Sequence, residues 1–82
     1  MVENNKSLVI TEFVKNKYQI VRISLTEYKS MRLIDIRVWS KKQDSETEFI
    51  PTTKGVSLSI ESFKNLMQAL PQVEEKIKEL KI

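Results

Sequence analysis

Cysteine and histidine are both absent from this chain. Without thiols there are no disulfide staples and no thiolate chemistry, and without imidazoles the usual ligands of zinc and copper are missing. Glycine occurs once, at Gly55, so no glycine-rich phosphate-cradling loop can be built. No apolar run approaches the roughly 20 residues that span a bilayer. The opening stretch MVENNKSLVITEF mixes acids and amides into its start, and lacks the basic, apolar and small-residue segments of a secretory leader. The expectation is a protein that is not an enzyme, holds no metal or cofactor and has no membrane partner. It would be intracellular: in cytoplasm or nucleoid if bacterial or viral, in the nucleus if eukaryotic.

The carboxylates do not change that reading. Asp44, Glu46 and Glu48 sit in or beside a polar loop, where solvated charge is the ordinary role. Glu74 and Glu75 are adjacent on a helix and point in different directions.

What is present is enough for one small domain, residues 1–82. Hydrophobic residues make up 40% of the chain, which favours a folded state over disorder. A domain this short without staples often completes its burial with a second copy, so a homodimer is expected. The formal net charge is only +3, yet it is unevenly placed. Between Lys15 and Lys42 eight cations face two acids, whereas from Ser59 onward lysines and glutamates balance. A basic segment of this kind suits a polyanion.

The order of elements follows from periodicity. LVITEFV (Leu8–Val14) is β-branched and aromatic and reads as a strand. A polar interruption at Lys15-Asn16-Lys17 precedes a second strand, YQIVRISLT. There Val21, Ile23 and Leu25 share one side, while Arg22 falls on the other. Glu27–Ser30 connects to a third strand, Met31 to Ser40, in which Ile34, Ile36 and Val38 form the apolar side. Arg37 and Trp39 then share the wetter side, expected to be the one carrying Arg22.

The wholly polar KKQDSET reads as a hairpin loop before a fourth, interrupted strand, Glu48 to Leu58. Pro51 should break that strand's ladder or place it at an edge, and Gly55 should mark a bulge. Ser59 is a candidate N-cap, with Glu61 in the first turn. Phe63, Leu66, Leu70, Val73, Ile77 and Leu80 follow at spacings of 3, 4, 3, 4 and 3, a heptad stripe that keeps its phase through Pro71. The expected fold is α+β: a four-stranded curved antiparallel sheet over about residues 7–58, then one C-terminal, Pro-kinked helix over about 60–80. The order is ββββα, in a homodimer.

A sheet with one apolar side and one side bearing cations and an aromatic suits an unpaired nucleic-acid strand. Cations track phosphates and flat rings stack bases, at about 1–3 kcal/mol per base. Arg22, Arg37, Lys41 and Lys42 are candidate phosphate contacts, and Tyr28 and Trp39 candidate stacking surfaces. Two other readings are open: a protein-interaction module using the helical stripe, and a binder of single-stranded RNA.

The run ISLTEYKSMRLIDIRVW from Ile23, followed by TKGVSLSIESFKNL from Thr53, resembles the positive-cofactor-four family of transcriptional coactivators. The resemblance covers about Ile20 to Leu80. It implies a dimer of four-stranded sheets with helices at the interface, where Phe63, Leu66, Leu70, Val73 and Ile77 would lie. It also implies binding of single-stranded or melted DNA with little sequence preference, and transcription or replication machinery as further partners. Tyr28 and Lys29 match the family's aromatic-lysine turn, Arg37 its strand arginine, and Lys54 the lysine before its glycine. Trp39 falls among its terminal aromatics, although many members place the tryptophan at the position of Ser40. Met31 stands where a DNA-contacting lysine is common, with Arg32 beside it as the substitute. Strict alternation puts Arg32 on the side of Ile34, and Lys54 reaches the wet side only through a bulge at Gly55.

Overall fold

The computed structural model describes residues 6–82. The leader-free reading of residues 1–5 lies outside the described residues. Four strands and one helix follow in the expected order: β1 (Lys6–Asn16), β2 (Gln19–Tyr28), β3 (Met31–Lys41), β4 (Phe49–Ser59) and α1 (Ile60–Leu80). Each strand pairs antiparallel with the next, giving one sheet in the order β1-β2-β3-β4.

The turns show why the strands run longer than expected. Asn16 caps the end of β1 by accepting the Tyr18 backbone N–H at its side-chain carbonyl, 3.0 Å away. The link from β2 to β3 is not the four residues Glu27–Ser30. Glu27 and Tyr28 remain in the ladder opposite Arg32 and Met31, which leaves Lys29 and Ser30 alone in the turn. Both have positive φ, 51° and 68°, the geometry whose twist matches the flanking strands. The loop after β3 is closed by the Lys42 N–H donating to the Glu48 carbonyl at 2.7 Å.

β4 is an edge strand, where the missing N–H of Pro51 costs least. Arg37 pairs with Gly55 and Trp39 with Pro51, so β3 advances two residues while β4 advances four. The expected irregularity lies here. Gly55 is required at this point: at φ 155° a Cβ would stand 2.5 Å from the Ile36 carbonyl oxygen.

Register assigns the faces. Leu8, Leu25, Ile34 and Leu58 form one apolar row, and Thr11, Ile23, Ile36 and Val56 form the next. α1 starts over this face: Ile60 borders a depression with Leu8, Leu25 and Arg32. Ser59 caps the helix by accepting the Ser62 N–H at 3.1 Å, and Glu61 occupies the first turn. The helix runs uninterrupted through Pro71 and stops where Lys81 turns left-handed.

The apolar face is not a filled core in the single chain. α1 packs mainly against β3 and β4. Ile34 is buried and Phe63 and Leu66 are half-buried, but Leu8, Phe13, Leu25 and Val56 stay exposed, as do Leu70, Val73, Ile77 and Leu80. The reason is width. A helix about 10 Å across covers about two strands spaced ~4.8 Å apart, and this sheet has four. Among the described residues, two of the three that are buried, Ile20 and Ser24, lie instead on the opposite, supposedly wet face.

Candidate nucleic-acid interface

That opposite face is built in cross-strand rows. Glu12, Arg22, Arg37 and Gly55 make one row; Val14, Ile20, Trp39 and Pro51 the next; and Val9, Ser24, Asp35 and Ser57 a third. Arg22 and Arg37 therefore stand directly opposite each other, on the same side as Trp39.

Like charges facing each other across a ladder are unfavourable, and each guanidinium has its own carboxylate. Asp35 accepts from Arg37 Nε at 3.2 and 3.1 Å, from Arg37 Nη2 at 2.8 Å and from the Ser57 hydroxyl at 2.7 Å. Partial burial pushes the Asp35 carboxyl up. The hydrogen bonds from Arg37 and Ser57, with the charge of Arg37, outweigh that and hold it below the usual carboxylate range. The same hydrogen bond raises Arg37, against some desolvation. Both groups are charged at neutral pH. Arg37 Nη1 also donates to the Thr52 carbonyl at 3.0 Å, and the Thr52 hydroxyl donates to the Val38 carbonyl at 2.8 Å. The register shift in β4 is thus tied to the arginine it faces. A guanidinium has five N–H groups, so two of those on Arg37 remain for another acceptor.

Arg22 is held differently. Its Nε donates to Glu12 Oε1 at 2.8 Å, and its Cζ lies 4.2 Å from the centre of the Trp39 ring. Trp39 is half-buried beneath it, beside Ile20, and its indole N–H is shielded with no acceptor among the described residues. Trp39 is therefore neither a freely displayed ring nor a core residue.

The remaining candidates lie around this centre. Tyr28 ends β2 on the same face by alternation, 47% exposed, with the Lys29 ammonium 5.2 Å from its ring. Lys41 ends β3 two residues beyond Trp39, and Lys42 enters the loop, where Glu48 lies 3.5 Å away. Two candidates stand apart. Arg32 pairs with Glu27 on the apolar side and borders the depression beneath Ile60, because no irregularity interrupts the β2–β3 ladder to turn it over. Lys54 borders a shallow depression with Lys15, Val21, Val38 and Val56, with Arg37 at the same depression, because the shift lies before Gly55 and leaves Val56 in phase with Ile36.

Three contributors escaped the sequence reading: Glu12, Ser57 and the Thr52 carbonyl. The one available signal was Glu12, the single acid in β1. Its partner depends on a register set by irregularities between Val9 and Thr11 and between Val14 and Asn16. Among the described residues there is no cluster of acids able to hold a metal ion, and no helix long and apolar enough to cross a membrane.

Comparison with known proteins agrees with the fold. Residues 15–69 match the family model described as Transcriptional Coactivator p15 (PC4). The chain is 32% identical over 59 residues to the RNA polymerase II transcriptional coactivator KELP of Arabidopsis thaliana; these residues are 72% of this chain, which spans only 34% of that relative. The crystal structure of a PC4 homolog from Burkholderia pseudomallei superposes with a TM-score of 0.74 at 28% identity, covering 84% of this chain and 98% of the other. A bacteriophage T5 homolog of PC4, implicated in recombination-dependent DNA replication, shares the fold at a TM-score of 0.56 and 21% identity, covering 98% and 99%. The sheet with its terminal helix, the matched segment and these relatives lead to one assignment: the chain belongs to the PC4 family of transcriptional coactivators.

Proposed function

We propose that this protein binds single-stranded or melted DNA, with little sequence preference and without catalysis, as a homodimer of coactivator type. The observation that carries the reading is the shared face of Arg22, Arg37 and Trp39, flanked by Tyr28 and Lys29 at one end and Lys41 at the other. Lysines and the free N–H groups of Arg37 would take phosphates, and the rings would take bases. A duplex hides the flat surfaces of its bases and has less use for such a face. Transcription or replication machinery are the partners the relatives suggest, and an intracellular location goes with them.

The dimer is supported by shape. The Cα radius of gyration is 15.3 Å, against about 11.7 Å for a compact domain of this length. The accessible surface is 6796 Å², against roughly 5,100 Å² for a compact chain of this mass. The surplus includes Leu70, Val73 and Ile77, which a second copy would cover along with Phe63 and Leu66.

Titration with a fluorescent oligo-dT of about 20 nucleotides, beside a duplex of equal length, tests the reading. Single strand should bind more tightly. With some four phosphates neutralised, log affinity should fall against log salt with a slope of about −3. A flat salt response, or equal affinity for the duplex, overturns it. The same titration against matched RNA settles which sugar is preferred. Light scattering should give about twice the 9.6 kDa chain mass.

A further inference from the structure

The guanidinium of Arg22 lies at contact distance over the Trp39 ring. A base cannot occupy that ring surface while Arg22 does. Arg22 is not loosely placed: Glu12, directly across the β1–β2 ladder, accepts its Nε hydrogen at 2.8 Å. Trp39 lies diagonally from Arg22, beside its neighbour Ile20, which is within reach of a long side chain. Strand register thus aligns a carboxylate, a guanidinium and an indole in sequence across three strands.

We infer that Glu12 is a positioning residue that keeps Arg22 over Trp39, so that the stacking surface is capped until an unpaired strand supplies a phosphate to Arg22 and a base to the indole together. The inference rests on the proposed binding of unpaired strands. A polyanion without bases attaches to the peripheral lysines and leaves the cap in place. Glu12 therefore lowers affinity for ligands that stack on Trp39, and affects other polyanions only through its charge. The Glu12 carboxylate is 46% exposed, and exposed pairs of this kind are modest, so the cap is worth about two- to fivefold in affinity.

The experiment uses the full chain and three variants. Glu12→Thr removes the acceptor and suits a strand; Glu12→Gln keeps an acceptor but loses the charge; Arg22→Met removes the cap. Trp39 is the only tryptophan, so acrylamide quenching of its emission in the free protein reports ring access directly. Quenching should increase in Glu12→Thr, increase further in Arg22→Met, and lie between wild type and Glu12→Thr in Glu12→Gln. Affinity for oligo-dT should rise about two- to fivefold in Glu12→Thr, with a smaller rise for inorganic polyphosphate of matched charge. Unchanged quenching in Glu12→Thr, or equal gains for both probes, overturns the inference. If the wild type binds no oligo-dT, the proposed function fails, while the quenching series still decides whether Glu12 places Arg22.

Discussion

The two faces of this sheet reach completion in different ways. On the charged face each guanidinium has a carboxylate, and Ile20 and Ser24 are buried. On the apolar face Ile34 is buried, while Leu8 stays 61% and Phe13 57% exposed. A polar surface closes with neighbours one strand away, since hydrogen bonds and ion pairs are short. An apolar surface closes only under something as wide as itself, and one helix is too narrow. The face that looks destined for a ligand therefore pairs its charges within the chain, and the face that looks like a core is left mostly uncovered.

The strongest way to break this contrast is to charge the uncovered helix. Leu70→Glu with Ile77→Glu should weaken self-association at least roughly a hundredfold, since an unpaired carboxylate in an apolar contact costs about 3 kcal/mol or more. Light scattering across concentrations measures it, and a dimer as tight as wild type would show that the stripe is not the contact. The next effect compares buried residues on opposite faces. Ile20→Ala and Ile34→Ala should each cost about 2–4 kcal/mol in urea unfolding at fixed chain concentration. A much cheaper Ile20→Ala would mean that the charged face has no core of its own.

The smallest effect concerns pH. Asp35 is held below its ordinary range when folded, so its contribution is present above the unfolded value of about 3.9 and is lost as pH falls through the folded one. Asp35→Asn should cost roughly 2 kcal/mol at neutral pH. Its melting temperature should fall less steeply than that of wild type between pH 5 and 2. Parallel acid slopes would show that the Asp35–Arg37 pair does not couple to folding.

Much of the architecture was legible because its signals are local. The alternation of Ile34, Ile36 and Val38 against Arg37 and Trp39, the opposing placement of Arg22, the edge position of β4 and the helix from its Ser59 cap all follow from residue periods and turn chemistry. The turn at Lys29-Ser30 was blurred because neither residue carries the glycine or asparagine that usually marks positive φ. The site was legible more in its members than in their contacts. Asp35 lies two residues from Arg37 on the same side of β3, so their pairing is readable from alternation. That Arg22 covers Trp39, and that Arg37 bonds the Thr52 carbonyl, depends instead on which strands are neighbours and on a shift in β4 that leaves no periodic trace.

The mismatch between β3 and β4 has a consequence for how this chain can change length. Two surplus residues separate Pro51 from Gly55 relative to Trp39 and Arg37, and two is an even number. Parity is preserved, so the start of β4 keeps its up-and-down order in step with its end. Removing a single residue between them would invert Phe49 and Ile50 against their neighbours, whereas removing a pair would not. Insertions and deletions in this arch should come in twos.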